Sequence, residues 1–330
     1  MKKQFIPFLA MLLIMFCFGV KKDVCAFIIE DLNLASEGDI IMGPGKTEVL
    51  MEAGNKYSKE MIITNRTGHT KIFNISVEDF RGSRDPQDQS VQFLGTEKGP
   101  YSLRDYIIPE TADFTLKHGQ RMRMQIEIDV PKDAEPGGLY GAVMVSASNI
   151  PEEGEIQKDA AKGQLMIVTR LASLFFVRVK GDVLENSVLK DFKADKPFYE
   201  AGPVSLFLSC ENNGSVHVSP YGLIEVKNIF GKKIDEIEID PWYVMPDSLR
   251  TREIKWSKNM LFGKYTVNLS LNRGYQDIID KKTISVWIIP WKIVAAISLV
   301  LIIIIWLLVW FISRLEIKVK PKQIEQDISK

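Results

Sequence analysis

The chain is 330 residues long, enough for about two ordinary domains with a short segment at each end. Hydrophobic residues make up 46% and charged residues 25%, a globular balance that argues against a disordered chain. The formal charge sums to zero, yet the stretch 27–291 carries 32 bases against 38 acids, a net of −6 that argues against bulk capture of nucleic acid.

The first segment, 1–26, reads as a secretory signal. Lys2 and Lys3 precede an apolar run from Phe5 to Val20, and Val24-Cys25-Ala26 offers a small-residue cleavage site. Lys21, Lys22 and Asp23 lie unusually close to that cut, so an uncleaved anchor is the alternative. Cys17 and Cys25 belong to this leader, which leaves Cys210 alone and rules out an intramolecular disulfide in the mature body. Bacterial surface sandwiches frequently do without such a bridge.

The body that follows is predicted to be all-β, built as two tandem immunoglobulin-like β-sandwiches over 27–182 and 183–290. Met122, Met124, Ile126, Ile128 and Val130 alternate with Arg121, Arg123, Gln125, Glu127 and Asp129, the period of a half-buried antiparallel strand. Val204, Leu206, Leu208 and Cys210 share one phase, and Val267, Leu269 and Leu271 share another. Ile234, Ile237 and Ile239 show one slip in phase, the mark of a bulge. Turn residues such as Gly43-Pro44-Gly45, Pro136-Gly137-Gly138 and Asn212-Asn213-Gly214 separate the runs. Gly138-Leu139-Tyr140 and Gly263-Lys264-Tyr265 each open a late strand, and a tyrosine there can pin a sandwich corner through its hydroxyl.

Between Arg81 and Tyr106 the first sandwich carries an excursion without clear periodicity, and loops of that length are often functional. Arg81, Arg84, Tyr101, Arg104 and Tyr106 are its candidate binding residues. A solvated insertion is the alternative.

At the other end, 291–312 is predicted to be a transmembrane helix. Ile293–Ile312 is free of charge and, at 1.5 Å per residue, about as long as a bilayer's hydrocarbon core is thick. Trp291, Trp310 and Arg314 suit the membrane interface, and Arg314, Lys318, Lys320 and Lys322 place the tail 313–330 in the cytoplasm. The expected location is the plasma membrane, single-pass, with the N-terminus and the sandwiches outside.

The order of these residues resembles a family. The strand ending Met61-Ile62-Ile63-Thr64-Asn65, then Phe114-Thr115-Leu116, then Val130-Pro131 through Pro136-Gly137-Gly138 and Tyr140-Gly141, resembles the peptidoglycan-binding domain of WxL-interacting proteins from Gram-positive surfaces. Glu211-Asn212-Asn213-Gly214 and Asn228-Ile229-Phe230-Gly231 resemble the membrane-proximal domain seen beside it. The resemblance covers roughly 40–292 and implies a bacterial envelope protein that touches cell-wall glycan and other proteins.

Catalytic chemistry finds little support in the residues. His69, His118 and His217 are scattered, without the convergent ligands of a zinc site. Cys210 shares an apolar strand phase and reads as core rather than nucleophile. Neighbours Glu78-Asp79 and Asp235-Glu236 point to opposite faces of their strands, whereas glycosidase carboxylates face each other across a cleft. Asp85 and Asp88 lack the ligand series of a calcium loop. The sequons at Asn65, Asn74, Asn213 and Asn268 would accept glycans only on a eukaryotic secretory route. The expectation is a non-enzymatic anchor, without cofactor or metal, whose first sandwich binds cell-wall glycan or surface and exported proteins. Its helix would meet membrane lipid. The alternative is a membrane-tethered chaperone or assembly factor that works by pairing strand edges.

Overall fold

The computed structural model describes residues 27–85, 91–150, 168–258 and 261–314. The expected leader, Asp88, Leu165–Ile167 and the tail beyond Arg314 lie outside them. The chain divides into two compact units between Leu184 and Glu185, with Arg84 and Asp85 grouped with the second.

In chain order the first unit contains β1 (Ile28–Asp31), β2 (Ile40–Gly43), β3 (Lys46–Met51), β4 (Lys56–Asn65), β5 (Lys71–Arg81) and β6 (Gln92–Phe93). After a 3-10 turn at Arg104–Tyr106 come β7 (Ile107–Pro109), β8 (Asp113–Leu116), β9 (Gln120–Asp129), β10 (Gly137–Asn149) and β11 (Thr169–Val179). One sheet runs β1-β9-β4-β2, with β7 also on β9; the other runs β3-β11-β10-β5-β6, with β8 also on β5. The alternation read in β9 is real: Met122, Met124, Ile126 and Ile128 are buried in a core that Met61, Phe73, Val143 and Phe175 complete. Each such side chain contributes about 1.5–3 kcal/mol by leaving water, which outweighs the weak intrinsic preference of methionine for strands.

Two features of the first unit follow from particular residues. Phe80, Tyr140 and Phe176 lie on the outer face of the second sheet, their rings 5.4–5.9 Å apart, so that sheet is buried on both sides there. The first strand also changes sheets. β2 pairs antiparallel with β4, the chain passes Pro44, and β3 then pairs parallel with β11.

The second unit contains β12 (Ser187–Ala194), β13 (Phe198–Tyr199), β14 (Val204–Asn212), β15 (Tyr221–Lys227), β16 (Lys233–Ile239), β17 (Ser248–Trp256), β18 (Gly263–Asn272) and β19 (Ile279–Ile288). Its sheets run β12-β14-β17 and β13-β19-β18-β15-β16. Val204, Leu206, Leu208 and Cys210 from one sheet meet Val267, Leu269 and Leu271 from the other in a single core. The phase slip read near Ile234 is a bulge: Val226 pairs with Asp235 but Lys227 pairs with Lys233. The Tyr265 hydroxyl accepts from the Phe262 N–H at 3.0 Å and donates to the Phe262 carbonyl, the corner bond predicted for that position. Tyr140 stands in the outer aromatic cluster, with its hydroxyl beside Gly138.

Helix α1 (Trp291–Arg314) follows β19 after Ile289 and Pro290 and runs past Ile312 to Arg314. Among the described residues it is the one helix long and apolar enough to cross a membrane.

Candidate functional site

The excursion predicted to bind ligand is held down by a single buried carboxylate. Asp79, near the end of β5, accepts the Gly99 N–H at 2.9 Å through Oδ2 and the Leu103 and Arg104 N–H groups at 3.1 and 3.0 Å through Oδ1. Its backbone carbonyl takes a fourth N–H, from Leu94. A charged acceptor with several amide donors is a strong local anchor. Sequence reasoning read Asp79 only as half of an acidic pair. The pair does point apart, as strand geometry requires: Glu78 turns to the outer face and pairs with Arg170.

The five candidate residues are dispersed rather than convergent. Tyr101 lays its ring edge-on to Tyr140 at 6.0 Å. The Arg104 guanidinium donates to the Gly95 carbonyl at 3.2 Å, inside the excursion itself. Tyr106 packs against the core. Arg81 is exposed and donates to Gln92 Oε1 at 3.4 Å. Arg84 groups with the second unit, where its Nε donates to the Asp247 carbonyl at 3.1 Å. Trp291, Trp310 and Arg314 are exposed at the two ends of α1, and the Arg314 guanidinium lies 5.3 Å from the Trp310 ring centre.

The more distinctive geometry lies at the strand edges. Because the first strand divides itself between sheets, it covers only half of each. Among the described residues, β2 covers Ile62–Asn65 of β4 and leaves Lys56–Met61 without a strand neighbour on that side. β3 covers Leu174–Val179 of β11, Ser173 is buried with its hydroxyl donating to the Pro44 carbonyl, and Thr169–Ala172 has no strand neighbour there among the described residues. The Leu174 N–H donates to the Gly45 carbonyl. Strand alternation then aims the Ala172 and Arg170 N–H groups at the open side. The β4 half-edge carries Lys56, which pairs with Glu127 and Asp129 of β9, and Lys59 and Glu60, charges that deter edge pairing. The β11 half-edge carries Thr169, Leu171 and Ala172, and its one charge, Arg170, is engaged with Glu78 on the outer face.

The second unit makes the same switch. β12 covers Leu206–Asn212 of β14, nearly the whole strand. β13 covers only Trp287 and Ile288 of β19, and further along the strand two side chains tie it to β12 of the other sheet. Asp280 Oδ2 accepts the Leu189 N–H at 3.3 Å, and Lys282 donates to Asp191 at 2.9 Å. The two carboxylates differ in what holds them: Arg273 grips Asp280 through two bonds of 2.8–2.9 Å, and the Lys282 hydrogen bond holds Asp191 below the usual carboxylate range. Cys210 is core, and burial pushes its thiol up to about 12, which removes it as a nucleophile at neutral pH.

No family model matches the chain, and no curated protein matches it. Solved structures that resemble it include the class 5 fimbriae chaperone CfaA (11% identity, 76% of this chain, 100% of that one, TM-score 0.34). The E. coli chaperone DraB shows 13% identity, with 76% of this chain and 96% of that one covered, at a TM-score of 0.32. The CsuC chaperone, solved with the CsuE tip adhesion subunit of Acinetobacter baumannii Csu pili, shows 12%, 75%, 98% and 0.34 on the same measures. The likeness is one of β-sandwich chains at low identity, and what those proteins assemble is a property of theirs.

Proposed function

We propose that this chain is a non-enzymatic, membrane-anchored surface protein whose first sandwich captures an extended segment of a partner protein along β11. One observation carries the reading: among the described residues, Thr169–Ala172 forms a weakly charged strand edge without a strand neighbour in the first unit, while in the second Asp280 and Lys282 tie the corresponding stretch to β12. An added strand would gain main-chain hydrogen bonds from the Ala172 and Arg170 N–H groups and direct alternate side chains toward the core side. The second sandwich serves as a spacer above helix α1, which holds the protein in the membrane with the sandwiches outside. A chaperone or assembly factor for exported proteins would use the edge in this way.

Cell-wall glycan, the ligand implied by the resemblance to WxL-interacting proteins, is the second class to test. Support for it is weaker, because Tyr101, Arg104 and Tyr106 are occupied within the first unit.

The test uses the full-length chain in detergent, with fluorescent peptides of alternating valine and threonine and, separately, purified peptidoglycan. Saturable peptide binding that falls at least tenfold in Ala172→Pro, which deletes one edge N–H without touching the β10 ladder, supports strand capture. Peptide binding that ignores the proline, or pelleting with peptidoglycan alone, overturns it.

A further inference from the structure

Strand register places several features at one end of the second sandwich. β19 ends at Ile288, two residues before α1 begins, and Ile288 pairs with Gly263, the first residue of β18. The end of β15, Lys227, pairs with Thr266 nearby on β18, so the β15–β16 hairpin tip at Asn228–Lys232 lies at this same end. Phe198 joins it through its pairing with Trp287.

Within this sandwich, the four large apolar side chains that water reaches most gather here. Phe230 is 90% exposed, Phe262 67%, Ile229 64% and Phe198 61%. These are not loose ends. Asn228 Oδ1 accepts the Phe230 and Lys232 N–H groups at 3.0 Å each, and Gly231 supplies the positive φ of the tip. The Tyr265 hydroxyl clamps the backbone of Phe262. The fold therefore spends defined turns on holding aromatic rings out from the surface, which a water-facing loop does not need. The opposite end, around Asp240 and Arg273–Asp277, exposes Ile279 and Tyr221, which water reaches less, among charged and polar residues, and it holds no exposed phenylalanine.

The connection to α1 decides the occupant. Ile289 and Pro290, fully extended, span about 7 Å, and the headgroup layer on each side of a bilayer is about 5–8 Å deep. With Trp291 at the interface, this end of the sandwich must meet that layer. Aromatic tips suit the interface, and Lys232, exposed beside Phe230, adds a cation that headgroup phosphates can pair.

We infer that this end of the second sandwich is a membrane-docking surface, which inserts Ile229, Phe230, Phe262 and Phe198 among the lipid headgroups around the emerging helix. The inference rests on the reading of α1 as a membrane anchor. It predicts that the second sandwich sits on the bilayer and does not swing freely from the helix.

Full-length protein in vesicles of phosphatidylcholine and phosphatidylglycerol is labelled with a polarity-sensitive fluorophore at one position at a time. The positions are Phe230→Cys, Phe262→Cys, Asp240→Cys at the far end, and Ile302→Cys inside α1. Cys17 and Cys25 are replaced by serine throughout, and that parent gives the background labelling, to which the buried Cys210 adds little. The expected result is that probes at 230 and 262 are several-fold less quenched by aqueous iodide than the probe at 240, and are quenched by spin labels at headgroup depth. Probes at 230 and 262 as open to iodide as the probe at 240, with the probe at 302 deep in lipid, overturn the docking surface and leave the anchor standing. A probe at 302 that iodide reaches overturns both.

Discussion

The two sandwiches solve one problem identically and another differently. At the end of its second long strand each buries an asparagine with the same three bonds. Asn65 Nδ2 donates to the carbonyls of His69 and Leu116 at 2.8 and 2.9 Å, and its Oδ1 accepts the Thr67 N–H. Asn212 Nδ2 donates to Val216 and Val244 at 2.8 and 3.0 Å, and its Oδ1 accepts the Gly214 N–H. Both units thus satisfy a buried turn from within one amide. They part at the sheet switch, where Asp280 and Lys282 tie the second unit's uncovered stretch to β12 and no such tie is seen in the first among the described residues. A shared structural device beside an unshared edge separates what both sandwiches need from where they differ.

The largest effects test the shared device. Asn212→Ala leaves two buried carbonyls and one N–H without partners, and roughly 2–4 kcal/mol of stability should be lost. Asn65→Ala orphans the Leu116 carbonyl and the Thr67 N–H while the His69 carbonyl keeps the Thr67 hydroxyl, so roughly 1–3 kcal/mol is expected. Thermal unfolding checks this, and a silent Asn65→Ala would break the parallel between the units. Asp79→Ala strands three amides but lets part of the excursion turn to water, so roughly 2–3 kcal/mol is expected. Limited proteolysis should then cut between Gly95 and Arg104 before it cuts elsewhere in the first unit.

Smaller effects sharpen the difference at the edges. Asp280→Ala removes the Arg273 pairing and the Leu189 bridge together; about 1–2 kcal/mol should go. The variant should also acquire binding of valine–threonine peptides at its second edge, and failure to gain any would mean that ionic bridging is not what closes it. The smallest effect is one of pH. Asp191 is held below the ordinary carboxylate value, chiefly by Lys282. Its contribution is present above that ordinary value and is lost as pH falls through the depressed one. Acid titration of the parent should therefore show a modest loss of stability below about pH 4. Lys282→Met should flatten that loss, by a small amount because the pair is partly exposed.

Much of the fold was legible before any coordinates. The period of two from Met122 to Val130 and from Val204 to Cys210 named the buried faces, because strand side chains alternate whatever their neighbours. The apolar stretch before Arg314 named the helix by length alone. The candidate site was less legible. Tyr101, Arg104 and Tyr106 are polar or aromatic residues in an aperiodic stretch, which is how a binding loop reads; in the structure a buried carboxylate from another strand folds that stretch back on itself.

What the sequence by itself determined is the set of elements: strands with their inward faces, turns at glycine and proline, a core cysteine and one apolar helix. These follow from local periodicity and the conformational limits of single residues. Tertiary structure alone decided which edges are covered, that Asp79 faces three amides, and that Phe230, Phe262 and Phe198 gather where the chain enters α1. Those depend on register between strands far apart in the chain, and register is set by the packing of whole faces rather than by any short run of residues.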